Sequence, residues 1–171
     1  MPAWEFDSIY AAYSRMVYWT AYGVTKSDSD AMDASQEVFI RVMKHIKKLE
    51  GMGDPQLKSW LYRVTVNLCV DAKRRTRREQ LQEELPEVAV TNERELPEAA
   101  AVTAEEQRII RVAIDALPDI YRETVVLHYF SGLQYEEIAA LQGVSEGTIK
   151  SRMSRAKARL ADALKGGELH G

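Results

Sequence analysis

Apolar residues recur along almost the whole chain at intervals of three and four, the period of a helix with one buried side. Few stretches alternate as strands do. The pattern predicts a first helix over 4–24, with Phe6, Ile9, Tyr10, Tyr13, Val17 and Ala21 along one side. Ser27, Asp28 and Ser29 offer N-cap chemistry for a second helix. It runs to about Leu49, with Met32, Val38, Phe39, Val42, Met43 and Ile46 apolar. The stretch EGMGDPQ at 50–56 breaks it with two glycines and a proline. A third helix follows over 56–82, its buried stripe predicted as Leu57, Leu61, Val64, Leu68 and Ala72. Further on, helices are predicted over 105–117, stopped by Pro118, then over 119–130, 135–142 and 145–164. The tail KGGELHG has nothing to bury and is expected to fray.

Between the third helix and the fourth the periodicity lapses. Residues 83–103 hold two prolines and many glutamates, which reads as a flexible acidic linker. The expected architecture is therefore all-α: two small helical domains, 1–82 and 104–167, joined by that linker. Composition fits a globular chain, with 46% hydrophobic and 29% charged residues among 171. No apolar run approaches the roughly 20 residues needed to cross a bilayer, and no basic-then-apolar leader opens the sequence. A cytoplasmic protein without membrane insertion is expected. The single cysteine, Cys69, excludes an intrachain disulfide and sits where a small buried hydrophobe is expected.

The net charge of −3 hides strong segregation. Lys73, Arg74, Arg75, Arg77 and Arg78 form a basic cluster, whereas 79–106 carries nine Glu against Arg94 alone. The last helix is basic again, with five Lys or Arg among the sixteen residues of SEGTIKSRMSRAKARL at 145–160. Screening limits charge effects to about 8–10 Å, so these blocks matter more than their sum.

Ala139, Gly143 and Ile149 suit a helix-turn-helix: a small residue where two helices cross, a turn glycine and an apolar plug. Ile138 and Val144 complete that small core, although an ordinary helical hairpin would share the pattern. On the last helix, Ile149, Met153, Ala156 and Leu160 form a stripe to bury. Lys150, Ser151, Ser154, Arg155 and Ala158 fall on the other side, and no Glu occurs from Gly147 to Ala161. Small residues let a helix approach base edges, and Arg and Lys reach guanine or phosphate. Thr148 and the N–H groups near Ser145 suit a phosphate at the helix N-terminus. The bland alternative is a solvated helix face.

A second stripe of the third helix holds Trp60, Arg63, Asn67, Asp71 and Arg74. It would stack and hydrogen-bond unpaired bases, with the basic run beyond it on phosphates. Equally open is a Trp60 packed into the core, an Arg63 paired with a carboxylate and a solvated basic helix end. His45, His128 and His170 are isolated, and no phosphate loop, Cys/His cluster or nucleophile arrangement occurs. Neither enzyme, metal nor cofactor is called for.

Three stretches together carry a resemblance: DASQEVFIRVMKHI at 33–46, SWLYRVTVNLCVDAKRR at 59–75, and LPDIYRETVVLHYFSGLQYEEIAALQGVSEGTIKSRMSRAKARL at 117–160. In this order they resemble a sigma-70 family RNA polymerase sigma factor of the extracytoplasmic-function (ECF) type. The resemblance implies an N-terminal domain that docks on the β′ clamp helices of core RNA polymerase and melts the −10 element. It implies a C-terminal domain at the β flap that reads the −35 element as duplex DNA, and an anti-sigma factor as regulator. Carried over by position, Asp33, Gln36, Glu37, Phe39 and Arg41 are candidates for the clamp, with Phe39 equally a core residue. Trp60, Arg63 and Asn67 fall near the melted −10 strand, Asn67 in a pocket for a flipped base that the loop 50–58 lines; Lys73, Arg74 and Arg75 follow on the backbone. Thr148, Lys150, Ser151, Arg152, Ser154 and Arg155 fall on the −35 site, Thr148 and Arg152 toward phosphate. Relatives often carry Arg at the place of Lys150 and an aromatic at that of Ser154, so promoter preference does not transfer. A helix-turn-helix transcriptional regulator outside the polymerase is the alternative; it would carry a sensor or dimerisation domain in place of the 33–75 motifs.

Overall fold

The structure, a computed structural model, describes residues 5–82 and 104–169. Among these there are eight helices and no strand. The chain divides into two units, 1–92 and 93–171. The expected linker, Trp4 and the last two residues lie outside the described residues.

The N-terminal unit holds α1 (Phe6–Thr25), α2 (Asp28–Lys44), α3 (Ile46–Leu49) and α4 (Asp54–Gln82). Lys26 ends α1 in the left-handed region, φ 55°, its N–H donating to the Tyr22 carbonyl at 2.8 Å. Ser27 then caps α2 by accepting from the Asp30 N–H at 3.2 Å. The second helix was expected to continue to Leu49. It breaks at His45, whose N–H is shared between the Arg41 and Val42 carbonyls, so the last turn restarts as α3. Proline at the second position of α4 costs no intrahelical bond.

Ile9, Tyr13, Val17 and Trp19 of α1 pack with Val38 and Val42 of α2, Leu49 of α3, and Leu57, Leu61 and Cys69 of α4. Each such fully buried aliphatic contributes about 1.5–3 kcal/mol relative to exposure. Tyr10, expected on the inner side of α1, is instead exposed and lays its ring edge-on to Phe39 at 4.9 Å. Two tyrosines of α1 reach the first residues of its neighbours: Tyr18 donates to Asp28 of α2, and Tyr13 donates to Asp54 of α4. Burial pushes the Cys69 thiol up to about 11, with Asp30 adding to the effect and Lys73 opposing it, so it stays protonated and inert. From residue 71 to 81 every side chain of α4 is exposed: the helix outruns the core it packs on.

The C-terminal unit holds α5 (Ala104–Asp115), α6 (Asp119–Tyr129), α7 (Tyr135–Gln142) and α8 (Glu146–Leu169). α8 runs to Leu169, into the tail expected to fray; His170 and Gly171 lie outside the described residues. The turn between α5 and α6 is closed by Arg122. This fully buried side chain donates to the Leu117 carbonyl at 2.9 Å and to Asp119 at 2.7 Å. α7 starts with a capping box, Gln134 with Glu137, and stops at Gly143, whose φ of 69° L side chains seldom adopt.

Candidate functional site

In the C-terminal unit, Ile138 and Ala139 of α7 are buried with Ile149, Met153 and Ala156 of α8. α7 and α8 thus cross through the Gly143 turn as a helix-turn-helix, and this core fixes which side of α8 faces out. Leu160, expected in the stripe, is half-buried. Lys150, Ser151, Ser154 and Arg155 are all exposed, one behind another along the outer face. At the head of α8, the Ser145 hydroxyl accepts from the Thr148 N–H at 3.1 Å and lies 2.8 Å from the Thr148 hydroxyl. Arg152 is half-buried and donates to the Gln142 Oε1 at 3.0 Å, which locks it across the turn.

Two features of this face were not foreseen. Glu146, one residue before the acid-free stretch, reaches the Lys150 ammonium at 3.7 Å. And α6 contributes to the face. A cleft of about 520 Å³ is lined by Ser145, Thr148, Ser151, Arg152 and Arg155 of the α8 side, and by Ile120 and Tyr121. Ile120 is exposed, and Tyr121 stacks under the Arg159 guanidinium at 5.3 Å. An apolar residue left outside just after a helix-starting proline was the only sequence signal for this. Lys157 is drawn elsewhere: hydrogen bonding to Tyr129, aided by Tyr135, raises its pKa. The resulting surface has hydroxyls and helix N–H groups at one end and guanidinium and ammonium groups along it, a donor-rich face for phosphate and base edges.

In the N-terminal unit, Arg63, Asn67, Asp71 and Arg74 are exposed along one side of α4. Trp60 is half-buried, its ring 6.0 Å from that of His45 and inclined to it by 67°. Arg63 donates to its own turn, to the Ser59 carbonyl at 3.4 Å. Lys73 donates to the Val24 carbonyl at 3.0 Å and so helps close α1; Arg74 and Arg75 stand exposed beside it. The inner stripe differs from expectation. It is Leu57, Leu61, Thr65 and Cys69, with Val64 and Leu68 half-buried and Ala72 exposed. Thr65 enters the core by donating its hydroxyl to the Leu61 carbonyl at 2.6 Å.

On α2, Asp33 and Gln36 are exposed, and Glu37 pairs with Arg41 at 3.6 Å. Phe39 is only 6% exposed and packs edge-on against Phe6 and Tyr10, so of its two readings the core is the one its surroundings fit. A second stripe of α2 was missed: Met32, Gln36, Ile40 and Met43 recur at helical spacing, Ile40 45% and Met43 59% exposed. Having more apolar residues than one inner stripe can bury is the signal that could have revealed it.

Among known proteins, the sigma-70 region 2 family model matches residues 9–79 and the sigma-70 region 4 model residues 107–160. The chain is 36% identical over 166 residues to the ECF RNA polymerase sigma factor SigE of Mycolicibacterium smegmatis, covering 96% of this chain and 62% of that protein's length. It is 31% identical to the ECF RNA polymerase sigma factor SigM of Bacillus subtilis, covering 90% of this chain and 91% of that protein. The fold is similar to the sigma factor RpoE of Bartonella quintana, solved in complex with the anti-sigma factor NepR, with a TM-score of 0.71 and 26% identity over 94% of this chain and 96% of that one. Two helical units, a helix-turn-helix with a basic outer face and matches to both regions lead to one assignment: the chain belongs to the sigma-70 family of RNA polymerase sigma factors, in its ECF group.

Proposed function

We propose that this chain binds core RNA polymerase and directs initiation at particular promoters, with the work divided between its units. Residues 1–82 dock on the polymerase clamp through the outer side of α2, where Asp33, Gln36, Glu37 and Arg41 lie, and open the −10 element. There the exposed part of the Trp60 ring stacks on a base, Asn67 holds an extracted base beside the 50–58 segment, and Arg63, Arg74 and Arg75 follow the strand. Unstacking a base costs a few kcal/mol, about what such contacts return. Residues 104–167 read the −35 duplex through Lys150, Ser151, Ser154 and Arg155, with Thr148 and Arg152 on the backbone. The intervening 83–103 is the acidic tether.

The observation that carries this reading is the outer face of α8. Four side chains suited to groove contact are exposed together there, on a helix whose rotation the buried Ile149, Met153 and Ala156 fix. A regulator outside the polymerase would share that face but not the exposed α4 stripe, for which double-stranded DNA has no use. An anti-sigma partner, as in the complex of the Bartonella RpoE, and a cytoplasmic site of action belong to the same reading. Among the described residues no helix is long and apolar enough to cross a membrane.

The test is reconstitution. Core polymerase mixed with this chain should initiate at a defined subset of a genomic promoter library, and sequencing the transcript starts should yield shared −10 and −35 motifs. Failure to initiate at any member, with the chain bound to core, would reject the proposal.

A further inference from the structure

Tyr13 sits in the core of the N-terminal unit, 3% exposed, on a helix that carries none of the residues assigned to DNA. Its hydroxyl crosses 41 positions of sequence to donate to Oδ1 of Asp54, the first residue of α4. The other carboxylate oxygen takes the Lys58 ammonium at 3.1 Å. With both oxygens engaged, the Asp54 side chain has a fixed orientation. Burial by itself would push this carboxyl up, but Tyr13 and Lys58 together outweigh it and hold the carboxyl below its ordinary value, so it stays an acceptor.

Asp54 is the first residue of α4, so the expected loop 50–58 is loop only through Gly53 and helix beyond it; Asp54 stands at that exit. Backbone bonds close the loop's two ends: Met52 N–H donates to the Leu49 carbonyl at 3.0 Å, and Leu57 N–H, in the first turn of α4, to the Gly53 carbonyl at 3.0 Å. Its two glycines, Gly51 and Gly53, meet little around them. Glycines leave such a loop many backbone conformations, so its position against α4 depends on where its exit is anchored. One turn and a half further along the same helix comes Trp60, then Arg63 and Asn67.

We propose that Tyr13 and Asp54 are positioning residues for −10 recognition. The buried phenol fixes the exit of the 50–53 loop against the Trp60–Asn67 side of α4, and so sets base selectivity without touching DNA. This rests on the assignment of that loop and of Asn67 to the extracted base. A displacement of a few tenths of an ångström in the pocket wall weakens discrimination between bases more than it weakens binding, because discrimination depends on aligned hydrogen bonds.

The fold supplies its own control. Tyr18 of α1 donates in the same way to Asp28, the first residue of α2, away from the loop. Holoenzymes carrying Tyr13→Phe, Asp54→Ala, both together, Tyr18→Phe or Asn67→Ala would be compared on a promoter library randomised across the −10 element, scored by transcript sequencing. Thermal unfolding of each free chain gives the stability loss alongside. Tyr13→Phe and Asp54→Ala should each flatten the preference at the extracted base by about three- to tenfold, the range expected for one lost hydrogen bond. The double variant should flatten it no further than Asp54→Ala alone, since that change already removes the Tyr13 bond together with the Lys58 pair. Tyr18→Phe should lower thermal stability comparably and leave the preference intact. Tyr13→Phe keeps the ring and so carries the test even if Asp54→Ala fails to fold. If Tyr13→Phe flattens the preference no more than Tyr18→Phe while Asn67→Ala does flatten it, the pair is merely structural and the proposal is overturned. If Asn67→Ala leaves the preference unchanged, the pocket assignment itself falls, and the proposal with it.

Discussion

Glu146 is the acid that reaches Lys150 on the face assigned to the −35 duplex, and replacing it with Gln should tighten binding to DNA while weakening the fold. The fold cost comes from two sources. Glu146 is the first residue of α8, where a negative charge is favoured by the helix dipole by about 0.3–1 kcal/mol. Its pair with Lys150, at 3.7 Å with both side chains more than half exposed, adds about 0.3–0.5 kcal/mol. The loss should total about 0.6–1.5 kcal/mol. On the DNA side, a phosphate about 6 Å from a carboxylate in water is repelled by about 0.7 kcal/mol, roughly halved by physiological salt. A Lys150 that need not leave its partner gains about 0.3–0.5 kcal/mol more. Together these amount to about 0.7–0.9 kcal/mol, a three- to fivefold tighter complex. The assay is fluorescence anisotropy of holoenzyme titrated onto a labelled duplex bearing the −35 element, repeated across a salt series. The variant should also show a steeper salt dependence, by up to about one unit in log K against log salt, as Lys150 takes a phosphate outright. Unchanged affinity with an unchanged slope would refute the reasoning, since Glu146 would then lie outside the field of the bound DNA. A large loss of affinity with intact folding would refute it differently, by showing that the carboxylate accepts from a cytosine amino group.

Three other outcomes follow from the structure. Lys26→Gly should raise the stability of the free chain by about 0.5–1 kcal/mol in urea unfolding, because φ of 55° strains an L residue and suits glycine. Met153→Ala, at a position 1% exposed, should cost the C-terminal unit about 2–5 kcal/mol and abolish −35 protection without altering any exposed side chain of α8; footprinting of the holoenzyme checks this. Asp54 has a folded-state pKa below its ordinary 3.8, so its contribution is complete above that value and is lost as pH falls through the folded one. Acid unfolding of Asp54→Asn should therefore show a shallower limb below about pH 4 than the parent chain.

The two-unit helical layout was legible because apolar spacing and proline and glycine breaks state it directly. The outer side of α8 was legible for the same reason: Ile149, Met153 and Ala156 are the side that must be buried, so Lys150, Ser151, Ser154 and Arg155 are left outside. The inner side of α4 was misjudged because Thr65 enters the core by satisfying its hydroxyl on the preceding turn, and hydropathy assigns no core role to such a residue. Met32, Ile40 and Met43 were unreadable as surface, since a surplus of apolar residues looks like core until the partner helix has taken its share. Arg122, buried with its charge bonded to the chain turn before it, and the Tyr13–Asp54 bond, spanning 41 positions, leave no periodic trace at all.

The exposed end of α4 has a mechanical consequence. Residues 71–81 bury no side chain, so beyond the Lys73 bond to Val24 this stretch of about 16 Å is sustained largely by helix propensity, the marginal regime for so short a helix in water. Lys73 opposite Arg77 and Arg74 opposite Arg78 put like charges one turn apart, costing about 0.2–0.5 kcal/mol per pair. Each residue that unwinds lengthens the chain by up to about 1.8 Å, so melting this segment adds up to about 20 Å to its contour length. A polyanion laid along these arginines would offset the repulsion and favour the helical form. The helicity of this segment is thus coupled to the charge that lies along it.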